Sequence, residues 1–403
     1  MTDARRVIVV GAGPVGLVAA LGLARQGIPV TVLEAEPALT RDLRAGSYHP
    51  PTLEMLEPLG ITGRMLEIGI RVPVWQMRDR RKGVVAEFDL GLLKDDTPYP
   101  FRLHCEQYKL TPIALDLLRR EAGSAVVFGA EVTGLAQTVE GVAVTYRTEG
   151  GEERIEGRYL IGADGARSVV RKAIGVEFEG FTWPERFLVV STEYDLARHG
   201  FAPNAYVSDP EEWCAVFQMP HNGPPGLWRV AFPTNIDVPD ETVMDLGNCR
   251  RLLDGFLPRD GDYEIAYRSV YRVHQRVAAT FRAGRVILAG DAAHINNPLG
   301  GLGLNSGLHD AVNLADKLGR VWRGEAEEDE ALEHYVRQRR QTNIEYVQAM
   351  SIRNKRLLEE KDPAVRAARL DEMRETAADP ARAYQHLLNT SMINSVRRAA
   401  SIA

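Results

Sequence analysis

Val7-Ile8-Val9-Val10-Gly11-Ala12-Gly13-Pro14-Val15-Gly16 is the stretch that decides the fold of this 403-residue chain. Four consecutive β-branched residues form the pattern of a parallel strand buried on both faces, and they run straight into a Gly-x-Gly-x-x-Gly turn. Leu17 to Gln26 reads as a helix closed by Gly27. Pro29 to Leu33 alternates into a second strand, and Glu34 stands at its end, 18 residues beyond Gly16. The glycines have separate duties: a tight turn at Gly11, backbone approach to a pyrophosphate at Gly13, and close helix-strand packing at Gly16. Ala12 and Pro14 fill the turn between them. An anion then sits against the helix N-terminus, and Glu34, followed by Ala35, accepts from ribose hydroxyls. A dinucleotide-binding βαβ unit follows, with NAD(P) and FAD both open.

The rest of the chain bounds the class. Hydrophobic residues make up 45% and charged residues 26%, which places it among soluble globular proteins with ample core. The net charge is −6 with the signs interspersed, so nothing forms a nucleic-acid footprint. Cys105, Cys214 and Cys249 are an odd count without a close pair, which excludes a disulfide framework and a CxxC site and suits buried thiols in a reducing cytoplasm. Without a signal h-region or a run of about 18 apolar residues, the expectation is a cytoplasmic protein that does not span a membrane. The histidines lack HxxxH or HExxH spacing and no GxSxG elbow occurs, so neither a metal site nor a serine nucleophile is expected.

Further elements follow from local signals. Helices are expected over residues 51–59 and 107–122, strands over 74–90 and 126–160, and a β-rich middle at 188–194, 213–219, 228–232 and 263–270. A late buried strand at 285–289 ends in Gly290-Asp291, and Pro298-Leu-Gly-Gly-Leu-Gly303-Leu304-Asn305 leads into a helix over 303–322. Beyond Gly324 the chain is polar and helical.

With GAGPVG at 11–16, the Asp164-Gly165 stretch in Tyr159-Leu-Ile-Gly-Ala-Asp-Gly-Ala-Arg-Ser168, and Gly290-Asp291 with its Pro298 loop, the sequence strongly resembles the FAD-dependent aromatic hydroxylases of the para-hydroxybenzoate hydroxylase type. The resemblance implies an α/β fold: a Rossmann-like FAD-binding domain (1–73, 101–180, 272–324) interleaved with a β-sheet substrate domain (74–100, 181–271), followed by a helical segment at 325–403 for dimerisation or packing. It implies non-covalent FAD, NADPH or NADH as co-substrate, and O2 inserted into a small phenolic or hydroxy-N-heteroaromatic ring through a flavin hydroperoxide. Asp291 is then expected at the ribityl or phosphate region, Arg44 and Gln107 along the pyrophosphate and ribityl chain, and Val132 near the adenine. Asp164 serves FAD and NAD(P)H together. Arg44, Arg167 and His274 are the expected NAD(P)H contacts, and His294 is read as structural.

The chemistry asks for particular residues. Pro298, Gly301, Gly303, Leu304 and Asn305 bring backbone and a helix N-terminus to the flavin, where unpaired N–H groups meet the negative charge of the reduced ring. Trp183, Tyr206, Trp213, Phe217, Trp228, Phe232 and Tyr271 are candidates for an aromatic lining, with Arg229 for a substrate carboxylate. His49 is the candidate base for a ring hydroxyl, with Tyr48 or Tyr206 as relays. Two other outcomes stay open: Baeyer-Villiger or epoxidising oxygenation of a polycyclic substrate, and an FAD dehydrogenase or oxidase.

Overall fold

The computed structural model describes residues 5–41, 45–224 and 226–403. Val7–Val10 lies at the centre of a six-stranded sheet, paired in parallel with Val30–Glu34 on one side and Tyr159–Gly162 on the other. Ser124–Phe128 extends the sheet beyond the first of these, and Val286–Leu288 beyond the second. The short antiparallel Arg282–Ala283 closes that edge. Burial on both faces explains the unbroken apolar runs: Val7, Ile8 and Val9 are fully buried. The helix Pro14–Ala24 is apolar almost all round, as a helix packed on every side must be. It lies against the long helix Leu302–Trp322, and an added Cβ at Gly22 would stand 2.9 Å from the Ala315 methyl, so the two backbones approach closely.

A second, eight-stranded sheet stands beside the first, in the order 294–295, 265–278, 178–192, 227–235, 214–219, 204–208, 74–79, 83–89. Its members run antiparallel except where Asn204–Ser208 meets Val74–Asp79. The struts Phe178–Thr192 and Ile265–Ala278 are far longer than the sequence suggested, because Glu179, Gly180 and Pro184 break the apolar pattern without breaking the strand. The ladder slips between Thr182 and Arg186, where Pro184 has no N–H to donate. Period-2 alternation sorts the sheet into two faces. Leu188, Val190, Cys214, Val216, Trp228 and Phe232 pack against the helix Leu246–Phe256. Trp75, Phe187, Tyr206, Ala215 and Ala231 turn the other way, toward Leu299 and the C-terminal helices.

The sequence reading missed Thr62–Ile68, Asn204–Ser208 and Leu246–Phe256. The last was legible. Asp245 caps Gly247 and Asn248, and Cys249, Leu252, Leu253 and Phe256 recur at helical spacing. Residues 325–403 are helical as expected, with a π-helical turn at Asn343–Gln348, and they pack onto the chain's own two sheets: Tyr335 donates to Leu288 O, while Leu358, Leu370, Leu387 and Leu388 cover the second sheet.

The two layers meet over a buried charge. Asp310 is fully buried and accepts from Gly290 N (3.0 Å), from Arg339 Nε (2.6 Å) and from His294 Nε2 (2.7 Å). Burial alone would raise its pKa. The charges and hydrogen bonds of His294 and Arg339 outweigh burial and hold it at about 2. An ionised carboxylate only accepts, so the proton of His294 lies on Nε2. Because the folded-state pKa is below the unfolded one, the contribution to stability is full above about pH 4 and is lost as pH falls toward about 2, roughly 2 kcal/mol in all. Asp310→Asn strands Arg339 in the core and should destabilise by about 3–5 kcal/mol. Denaturant melts from pH 7 to pH 2 measure both effects, and the variant should lack the acid component. A midpoint shift worth under about 1 kcal/mol would refute the assignment.

Candidate active site

Steric crowding shapes the phosphate loop. Gly11 has φ +104°, and an added Cβ would sit 2.4 Å from Ala163 O; at Gly16 it would sit 1.9 Å from Gly11 O. Gly13 is the opposite case, with nothing within 4 Å of an added Cβ. That open side adjoins the start of a helix with no side-chain cap and no acid in its first turn, so the Val15 and Gly16 N–H groups have no intrahelical partner. Glu34 reaches back to accept from Ala12 N at 2.6 Å and from Glu36 N at 3.0 Å. Ala35 is exposed beside it, and hydrogen bonds from Gly129 N to Glu36 O and from Ala130 N to Glu34 O bring the half-buried Val132 strand to the same edge.

Two other turns converge on this loop. Val15 fits a notch made by two glycines, since a Cβ at either Gly290 or Gly307 would come within 2.8 Å of its Cγ2. This seats the exposed Asp291 beside the phosphate-loop helix. Asp164 turns its carboxylate inward, accepting from Ser168 Oγ (2.6 Å), Val169 N (2.7 Å) and Val170 N (3.1 Å). The expected cofactor contact at Asp164 is thus a helix cap, and what it offers a ligand is the turn it shapes. Arg171, which the sequence reading passed over, ties that turn to the next by donating to Ala166 O and Ala292 O.

The glycine turn before Leu302–Trp322 is held from three sides. Gly300 and Gly301 have φ +107° and +67°, and the helix again begins without a side-chain cap. His49 Nε2 meets Gly300 O at 2.8 Å, and Gly300 N donates to Tyr206 Oη at 3.0 Å. Asn305 spends its whole side chain here: Nδ2 donates to Ser47 O and Gly301 O, while Oδ1 accepts from His49 N and Thr52 Oγ1. It is therefore a latch; Pro298, Gly301, Gly303 and Leu304 are half-buried and carry the accessible surface of the turn. Gln107 N donates to Ala45 O, which sets the 45–49 segment alongside. Arg44 lies outside the described residues.

His49 does not have the setting of a strong base. Burial first, then the charge of Arg102 and the neighbouring His309 and His104, push its pKa well below the usual 6.5, against the opposing bond to Gly300 O. A neutral imidazole donating to that carbonyl holds the turn and leaves Nδ1 bare.

The aromatic candidates divide between the sheet faces. Tyr206, Trp213, Phe217 and Tyr271 share the face that looks toward Leu299, and Arg229 alternates onto it. Trp228 and Phe232 do not: strand alternation sends both into the packing against the helix 246–256. Trp183 donates to Gln275 beside the strut. Unforeseen members of the first face are Trp75, stacked on Phe88 at 4.6 Å, and His386, stacked on Phe88 at 4.5 Å. Arg102 and His104 join them from a short strand. A cleft of about 950 Å³ opens nearby between Leu39–Arg41, Ile68–Ile70, Tyr108, Lys109 and the 218–226 loop. Neither Arg167 nor His274 lines it. Arg167 is exposed on the Asp164 turn, and His274 bonds Thr182 on the strut.

A family model described as "FAD binding domain" matches residues 4–350. The chain belongs to this family. It is 36% identical over 97% of its length to the para-nitrophenol 4-monooxygenase of Pseudomonas sp. (strain WBC-3), covering 96% of that protein. It is 35% identical over 90% of its length to 6-hydroxy-3-succinoylpyridine 3-monooxygenase HspB of Pseudomonas putida, covering 91%. The crystal structure of p-nitrophenol 4-monooxygenase PnpA from Pseudomonas putida DLL-E4 superimposes with a TM-score of 0.93 at 33% identity, over 98% of this chain and 99% of that one. This FAD-binding protein is thus a flavin-dependent monooxygenase of the aromatic hydroxylase group, as its three motifs implied. Its residues fit the cofactor: the side of Gly13 is open, two helix N-termini lack caps, and Asp291 stands at the surface between them.

The Asn305 latch is testable. Asn305→Leu leaves the His49 N–H and the Ser47 and Gly301 carbonyls without partners, at about 1–3 kcal/mol for each buried group. The flavin-to-protein absorbance ratio of the purified variant should fall by more than half and its melting temperature should drop. An unchanged ratio would show that the turn holds without the latch.

Proposed function

We propose that this enzyme uses NADH or NADPH and O2 to hydroxylate a small monocyclic phenol or hydroxypyridine. The observation that carries the reading is the aromatic patch of Trp75, Phe88, Tyr206 and Phe217, set directly against the Leu299–Gly301 turn. Flat side chains on a strand face suit a single ring, and the relatives named for p-nitrophenol and a hydroxypyridine act on rings of that size.

FAD, when bound, supplies the two-electron chemistry that activates oxygen. The chain's residues do the rest. Gly13 with the Val15 and Gly16 N–H groups holds the pyrophosphate, Glu34 the ribose, and Asp291 the chain between pyrophosphate and ring. The uncapped N–H groups of Leu302, Gly303 and Leu304 carry about half a positive charge and would favour the anionic, reduced form of a flavin ring bound at this turn. His49 and Tyr206 fix the Gly300 turn so that those donors are preorganised, an effect typically worth about 2.7–4 kcal/mol per donor. The cleft lined by Arg41 and Lys109 is the approach for the anionic nicotinamide nucleotide.

The test is a panel of phenols and hydroxypyridines assayed for stimulated NAD(P)H oxidation, with products weighed after reaction under isotopically labelled dioxygen. At least one ring should raise the rate more than tenfold and gain one labelled oxygen atom. Stimulation that yields only hydrogen peroxide across the panel would reject the reading.

A further inference from the structure

Arg102 is a buried cation that meets no carboxylate among the described residues. It is 3% exposed on the strand Arg102–His104. Nη1 donates to Asn204 Oδ1 at 2.5 Å and Nη2 to Thr390 O at 3.2 Å, both neutral, and Nε has no protein partner. Arg186 pairs with Asp240, Arg339 with Asp310, and Lys355 with Glu185 and Glu359, while the buried Arg171 and Lys317 are each held by two neutral oxygens. Arg102 differs from all of these in lacking a carboxylate and also keeping a buried donor with no protein partner. Burying a charge without a counterion costs several kcal/mol, so an uncompensated site of this kind suits an anionic ligand.

We propose that Arg102, with Trp75 Nε1 and Asn204 Nδ2, is the binding site for the anionic oxygen of the substrate ring, so that the phenol is held as its phenolate and no general base is required. The proposal deepens the aromatic-hydroxylase reading and rests on it. Three neighbouring side chains each keep a buried donor without a protein partner: Arg102 Nε, Trp75 Nε1 and Asn204 Nδ2. Asn204 lies opposite Trp75 on one strand pair and opposite Phe217 on the next, while the guanidinium carbon stands 5.7 Å from the Trp75 ring centre. The site is flat on its walls and cationic at one point, which complements the shape and negative charge of a phenolate.

The other titratable groups near Arg102 do not neutralise it. Burial pushes His104 and His386 down to about 4 each and His49 well below its usual value, and the Arg102 charge depresses all three. Arg353 adds to the effect at His386. His104 Nδ1 donates to Gln218 O and His49 Nε2 to Gly300 O, so their remaining nitrogens present lone pairs, not protons. Tyr206 also faces Arg102, with its hydroxyl already accepting from Gly300 N. On binding, the phenol O–H bond breaks, the proton passes to solvent and the oxygen keeps the electron pair.

The FAD-loaded enzyme is titrated with 4-nitrophenol, whose neutral and ionised forms absorb differently, at a pH one unit below its solution pKa. The difference spectrum of the complex should show the phenolate. Arg102→Gln should raise Kd at least about 30-fold and abolish the phenolate signal, and Arg102→Lys should recover part of both. A neutral ligand in the wild-type complex, or Arg102→Gln binding within threefold of wild type, overturns the proposal. Should that variant not fold, the wild-type spectrum and Asn204→Leu, expected to weaken binding about tenfold, still decide. Phenolate binding without ring-stimulated oxidation would sink the hydroxylase reading and leave the anion site standing; stimulated oxidation of a ring bound neutral would do the reverse.

Discussion

Everything at the cofactor end of the molecule depends on backbones coming closer than side chains allow. Gly11 and Gly16 leave room for Ala163 and for each other, and Gly290 and Gly307 leave room for Val15. These contacts bind three turns, separated by well over a hundred residues, into one surface. A methyl group at any of the four would collide with a neighbour under 3.0 Å away. The carboxylate of Asp310 then fixes the arrangement electrically, since it takes the Gly290 N–H as well as the His294 ring N–H and the Arg339 guanidinium behind it.

This half of the molecule was legible because its signals are local. The βαβ unit, the second buried strand and the glycine turn each announce themselves within about ten residues, and their order along the chain supplied the family. At Gly11 and Gly16 the crowding that the motif implies is present, and at Gly13 the side of the backbone is open. At Asp164 and Asn305 the role lies in the side chain, and the residue type alone does not name its partners. Sequence marks these polar residues as special, but only the three-dimensional arrangement shows that their bonds stay inside the protein.

The substrate side was legible only as a class. A strand's period shows which residues share a face and does not tell which face looks at the cofactor, so Trp228 and Phe232 were grouped with Tyr206 and Phe217 although the sheet divides them. Arg102 and His104 gave no warning either. They lie on a three-residue strand after a Pro-bearing loop, with no motif around them, and their importance comes from what is missing around the guanidinium. Charge compensation is a property of space. No spacing rule reports it.

The packing of Pro380–Thr390 on the aromatic patch bears on how the molecule is made. Thr390 O receives Arg102 across 288 residues of chain, and His386 stacks on Trp75 and Phe88. The elements that meet the phosphate loop, by contrast, are all synthesised by about residue 310. During vectorial synthesis the nucleotide cradle can therefore assemble before the helix Pro380–Thr390, which closes over the aromatic patch, has been made. The covering of the aromatic patch is thus completed last, by a segment that lies after the long helices in the chain.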